Sequence, residues 1–169
     1  MARCLVIGLV AAAGHALTFR PGRMADTVPI AAAMATNLMN PLSIRAERFE
    51  VATGPDDERL GWGQLRPLGD DGLWELASVF VVPERRGEGI GSAVVRRLLA
   101  THAAAGRRVE DVYLLTLART RPWYEALGFG DAGDVPDALA LEAAAGRAVT
   151  FALGEELVVL RGAAADPPP

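Results

Sequence analysis

The residues best placed to do chemistry form one glycine-rich run, Arg86-Gly87-Glu88-Gly89-Ile90-Gly91-Ser92. It follows the apolar stretch Val79-Phe80-Val81-Val82 and precedes a segment whose apolar residues recur at helical spacing. A buried strand that turns through glycines into a helix makes an anion site. The first amides of a helix have no acceptor within it, and its dipole favours negative charge at that end. Glycines let the backbone approach a phosphate closely and adopt positive φ. Two side chains stand out besides the loop. Glu75 is a carboxylate near the start of an otherwise apolar strand, where burial would raise its pKa. Tyr124 is a phenol near the start of a short helix.

What is missing narrows the chemistry. All 17 basic residues are Arg, so lysine Schiff-base catalysis is excluded, and so is a phosphate loop that needs Gly-Lys-Ser/Thr. Cys4 is the only cysteine, which rules out an intramolecular disulfide and a Cys-rich metal centre. His15 and His102 are too far apart in sequence to form a His-x-x-x-His pair, and no metal is expected. The work falls to carboxylates, tyrosines, hydroxyls and backbone groups. A dinucleotide loop would read Gly-x-Gly-x-x-Gly after the first strand. Here Gly87-x-Gly89-x-x-Ser92 misses the third glycine and lies in mid-chain. A nucleotide-binding oxidoreductase stands as an alternative on that pattern.

The elements that must position these groups follow from pattern. Leu17–Arg20 reads as a strand stopped by Pro21-Gly22. Ile30, Met34 and Leu38 line one face of a helix over about Thr27–Leu38, with Asp26 as its cap and Asn40-Pro41 as its stop. Strands are predicted at Arg48–Ala52 and Leu60–Leu65, separated by the turn Gly54-Pro55-Asp56-Asp57. After the turn Asp70-Asp71-Gly72, Leu73–Val82 is apolar on both faces and should be a central strand. Gly89–Ala105 is an amphipathic helix stopped by Gly106, and should cross between parallel neighbours. Val112–Leu117 is a strand, Thr120–Leu127 a helix with Pro122 in its first turn, and Gly128–Gly130 begins an extended piece. Asp137–Thr150 is an alanine-rich helix and Glu156–Arg161 a last strand. The class is α/β or α+β, with a mixed, mostly antiparallel sheet flanked by helices. Met24, Met34 and Met39 fit helix or core packing, Trp62 and Trp74 the core or a sheet face, and His102 a partly buried helix position.

At 169 residues and mean hydropathy +0.21, the chain makes one ordinary domain. A net charge of −4 argues against nucleic acid as a partner. No apolar run reaches the roughly 18 residues of a membrane span. Residues 1–16 combine Arg3, a nonpolar run from Cys4 to Ala13 and small residues. They read as a signal or organellar targeting segment; otherwise the chain would be cytoplasmic. Residues 17–161 read as the domain and 162–169 as a disordered tail closing in Asp-Pro-Pro-Pro.

Two motifs carry a resemblance over nearly the whole chain. Arg86-Gly87-Glu88-Gly89-Ile90-Gly91 is similar to the Arg/Gln-x-x-Gly-x-Gly/Ala loop of the GNAT family of N-acetyltransferases, and Trp123-Tyr124-Glu125-Ala126-Leu127-Gly128-Phe129 resembles that family's aromatic-Tyr-Glu-x-x-Gly-Phe segment. The resemblance implies a GNAT-like sheet with a splayed, V-shaped slot for CoA. It implies acetyl-CoA as cosubstrate, with Val79, Phe80 and Val81 bonding the pantetheine arm through their backbone and Gly87, Glu88, Gly89, Ile90, Gly91 and Ser92 holding the pyrophosphate. Arg86 would add charge or act structurally. Tyr124 would be the acid facing the CoA sulfur, and Glu75, eleven positions before Arg86, the base, unless water relays the proton. The partner is then an amine acceptor, of a small molecule or peptide, attacking directly in a ternary complex, while the sequence leaves a homodimer open. Loops at Asn40–Glu47 and Asp134–Asp137 would shape the acceptor side. One departure concerns the polar contacts at the thioester: Leu114–Arg121 has no Asn where many members carry one. A catalytically silent acyl-CoA sensor is the alternative that this departure supports.

Overall fold

The structure, a computed structural model, describes residues 17–37, 39 and 44–163. The targeting segment expected at residues 1–16, the helix stop and acceptor wall at Asn40-Pro41-Leu42, and residues 164–169 of the tail lie outside the described residues.

Seven strands form one mixed, mostly antiparallel sheet in the order β1-β2-β3-β4-β5-β7-β6. They are β1 Thr18–Pro21, β2 Phe49–Thr53, β3 Arg59–Leu68, β4 Leu73–Val81, β5 Val112–Leu117, β6 Phe129–Asp131 and β7 Leu157–Gly162. The helices are α1 Thr27–Thr36, α2 Ile90–Ala104, α3 Arg121–Glu125 and α4 Asp137–Ala152. β4 and β5 are parallel, in the register Trp74↔Val112 and Glu75↔Tyr113, and α2 is the crossover between them. Antiparallel pairs join β1 to β2, β5 to β7 and β6 to β7.

The chain divides into two compact units. One comprises the described residues of Met1–Gly63 with Ser78–Val94, the other those of Gln64–Ala77 with Val95–Pro169. In the first, Ile30 and Met34 of α1 pack on Phe49, Val51, Trp62 and Phe80, and Trp62 stacks on Phe80 with ring centroids 4.7 Å apart. Gly61 permits close passage here, because a Cβ on it would come within 2.8 Å of the Phe80 carbonyl oxygen. In the second, Leu139 and Ala143 of α4 pack on Leu68, Tyr113 and Val159.

β4 carries a bulge. On β3, Trp62 and Arg66 are four residues apart and so share a face. Their partners on β4 are Phe80 and Glu75, five apart. Between these two contacts Ser78 takes φ +58°, a left-handed conformation that one type of bulge adopts and that fits the extra residue there.

Three expectations change. Asp26 does not cap α1: its carboxylate accepts from Arg20, Arg59 and the Arg23 backbone N–H, because two guanidinium groups offer stronger bonds than the helix amides. Met24 is exposed at the surface rather than packed. His102 is buried rather than partly so, with its Nε2 against the Arg108 carbonyl oxygen at 3.2 Å and its ring edge-on to Trp74 at 5.1 Å.

Candidate functional site

In the first unit, β4 leads through a short 3-10 turn at Pro83–Arg85 into the glycine loop and α2. Gly87 and Gly89 take φ +85° and +78°, which side chains rarely adopt, and a Cβ on either would meet nothing within 4 Å. The loop is therefore glycine for its conformation, and its outer side is open. A helical bond runs from Ala93 N–H to the Gly89 carbonyl, which sets the start of the helix beside the loop. Fifteen residues of helix stand behind it, enough for a full dipole at that end. An open glycine turn with amides ahead of a long helix fits a phosphate group.

The two arginines of the loop are committed differently. Arg86 Nε donates to the Val81 carbonyl oxygen at 3.1 Å, and its guanidinium lies 5.5 Å from the Phe80 ring centroid. That ties the loop back to the strand it leaves. Arg85 forms a two-pronged pair with Glu88, both contacts 2.8 Å. Ile90 is buried, so only its backbone is available to a ligand. Phe80 likewise packs inward, and what β4 can offer at Val79–Val81 is backbone beyond the parallel register, which covers Trp74 and Glu75.

The second unit holds Glu75 and Tyr124. Glu75 is 3% exposed. Arg66 Nε donates to its Oε2 at 2.6 Å, and Arg66 Nη2 donates to Glu142 Oε2 on α4 at 2.7 Å. Burial raises the Glu75 pKa, with the Arg66 bond and charge working against the rise and the Glu142 charge adding to it. Tyr124, on α3, packs edge-on against Trp123 and Phe129, with ring centroids 4.5 and 5.9 Å away. Burial pushes its phenol up to about 12. Pro122 in the first turn sets the helix that carries it.

Sequence reading missed Arg66, Glu142 and a hydroxyl pair. Thr116 and Thr120 place their Oγ1 atoms 2.6 Å apart, and Thr120 Oγ1 donates to the Leu117 carbonyl at 2.8 Å. Each hydroxyl has one proton. Thr120 spends its own on Leu117, so Thr116 donates to Thr120 and keeps its lone pairs for an outside donor. This pair lies within the segment where the sequence lacks an Asn. The available signal was two threonines on either side of a strand end, four apart.

A family model described as an acetyltransferase (GNAT) domain matches residues 46–130, half of the chain. The chain belongs to the GNAT family. Its acetyltransferase domain spans the strand, loop, helix and tyrosine segment described above, and GNAT acetyltransferases use acetyl-CoA. No curated protein matches it. Solved structures share its fold. N-acetylglutamate synthase from Neisseria gonorrhoeae, complexed with coenzyme A and L-arginine, superposes with a TM-score of 0.64 at 16% identity, over 87% of this GNAT chain and 33% of that one. This chain therefore spans about a third of that enzyme's length. Rv2747 from Mycobacterium tuberculosis, in complex with CoA, gives 0.61 at 23% identity, over 85% and 98%. A GNAT acetyltransferase from Staphylococcus aureus gives 0.56 at 16%, over 72% and 89%. Among the described residues of this GNAT domain, no cluster of three or more His, Cys, Asp or Glu could hold a metal ion.

Proposed function

We propose that this GNAT protein is an N-acetyltransferase that moves the acetyl group of acetyl-CoA to a primary amine by direct attack in a ternary complex. The observation that carries transfer, rather than binding alone, is the pair of proton-handling groups in the second unit. Glu75 is a buried carboxylate with a raised pKa, and Tyr124 is a phenol that burial keeps protonated.

Bound acetyl-CoA supplies an activated thioester carbonyl. The chain's own groups supply the rest. The loop amides from Gly87 to Ser92 hold the anionic end, and the backbone of Val79–Val81 offers a strand edge to the amide arm. The Thr116 hydroxyl oxygen accepts from an N–H near the thioester, the service an Asn gives in other members.

Glu75 takes a proton from the acceptor amine, which at neutral pH is mostly an ammonium of pKa about 10. A carboxylate whose pKa is raised is a stronger base, provided it is still ionised at working pH. As the new C–N bond forms and the C–S bond breaks, negative charge collects on sulfur, and the second proton that the nitrogen sheds in becoming an amide ends there, giving the free CoA thiol. Tyr124 stabilises that charge as a hydrogen-bond donor. Complete handover of its proton would be uphill, since a phenol at about 12 holds its proton more tightly than a thiol near 8.5.

The measurement is free-thiol release over a panel of amines with acetyl-CoA. Glu75→Gln and Tyr124→Phe should each lower kcat by about 100-fold while the acetyl-CoA Kd moves little. Unchanged turnover in both variants would remove these roles. Tight CoA binding by the wild type with no thiol released across the panel would make the protein a sensor instead.

A further inference from the structure

We propose that Arg66 and Glu142 together tune the protonation of the buried Glu75, so that α4 is a tuning arm for the candidate base. The inference rests on the reading of Glu75 as that base.

The geometry is one cation shared by two carboxylates. Arg66 is 11% exposed and cannot shed its own proton. Its Nε donates to Glu75 Oε2 at 2.6 Å, and its Nη2 lies 2.6 Å from that same oxygen and 2.7 Å from Glu142 Oε2. The Glu75 side chain is 4% exposed and that of Glu142 is 32% exposed. With both carboxylates ionised the triad has a net charge of −1, and Glu75 is its least exposed member. Burial is the first cause that raises the Glu75 pKa, and the Arg66 bond and charge oppose it. The second carboxylate draws on the same guanidinium and adds a like charge, and both effects make the Glu75 proton harder to remove. Among the described residues, Glu75 is faced by Arg66 from β3, by Glu142 from α4 through that arginine, and by Tyr113 opposite it in register on β5, whose ring lies 5.4 Å from the Arg161 guanidinium of β7.

The two outer residues act with opposite sign. Arg66 favours the ionised form of Glu75, and Glu142 opposes it. Glu142 is a positioning residue that acts on Glu75 through Arg66. It sits at the rim, so Glu142→Gln leaves the packing of α4 through Leu139 and Ala143 in place.

The experiment uses the full chain with carboxyl carbons labelled, and follows the Glu75 titration by NMR in wild type and Glu142→Gln, beside the pH profile of kcat. The Glu75 midpoint should fall by about 0.5 pH unit or more in Glu142→Gln, and the acid limb of kcat should move with it. Arg66→Gln, where it folds, should move both the other way. A Glu75 midpoint unmoved in Glu142→Gln overturns the inference, whatever the kinetics. If the midpoint moves while Glu75→Gln retains full turnover, the tuning stands and the role of Glu75 as base falls.

Discussion

At the scale of single residues, charge placement decides more than charge count. Asp26 shows this best. Its side chain is 1% exposed and accepts from Arg20 at 2.7 Å and Arg59 at 2.6 Å, as well as from a backbone N–H. Those bonds, first the one from Arg20, hold its carboxyl well below the usual range. A depressed carboxylate contributes stability that is complete above the ordinary pKa near 4 and is lost as pH falls below it. Asp26→Ala strips the common acceptor from two guanidinium groups. It should cost about 2–4 kcal/mol at pH 7 and flatten the dependence of Tm on pH below about 4. Thermal melts from pH 7 down to about pH 2 check both. Sequence alone suggested a helix cap here, because an Asp before an apolar helix is the usual signal. The arginines that claim it lie six residues before it and 33 after it, and only the folded sheet brings the second one near.

Elements were more legible than their junctions. Periodicity located the strands, the crossover helix and the tyrosine helix to within a few residues, since apolar alternation records burial directly. It could not show the bulge, which is an offset between two strands. Nor could it show Arg66 with Glu142, 76 residues apart and joined by the packing of α4. The glycine loop was legible in sequence because its chemistry is mainly backbone conformation. That gives an expectation for the element as a whole. In Gly89→Ala, a residue at φ +78° acquires a Cβ with open space around it but the wrong backbone preference. The loop should re-form in another conformation, with a stability loss of about 1 kcal/mol and weakening of acetyl-CoA binding by tenfold or more. Calorimetric titration of CoA into a variant that melts near the wild type separates lost binding from lost folding.

Across the whole molecule, the two units respond to acid in different ranges. Burial lowers the His102 pKa, the Arg108 carbonyl contact opposes that, and the charge of Arg107 assists it. A histidine held neutral contributes stability that is present above its unfolded pKa near 6.5 and is lost as pH falls. Asp26 begins to fail only below about 4. Glu75 runs the other way: with its pKa raised, its contribution is full at low pH and declines as pH rises through the folded value. On lowering the pH, protection from hydrogen exchange should fall first around the C-terminal end of α2, between pH 7 and 5, and around Asp26 only later. Exchange rates corrected for intrinsic pH dependence, read by mass spectrometry, would show the order. Loss at both places in one step would contradict it.

The extra residue at Ser78 gives β4 a reading frame. Upstream of it, odd-numbered Glu75 meets Arg66; downstream, even-numbered Phe80 meets Trp62. Removing that one residue would alter neither the charges nor the apolar content of the strand. It would put the two halves of β4 out of phase with β3, so that an ion pair or an aromatic stack must be given up. Insertions and deletions in this strand are therefore frameshifts in three dimensions, and substitutions are not.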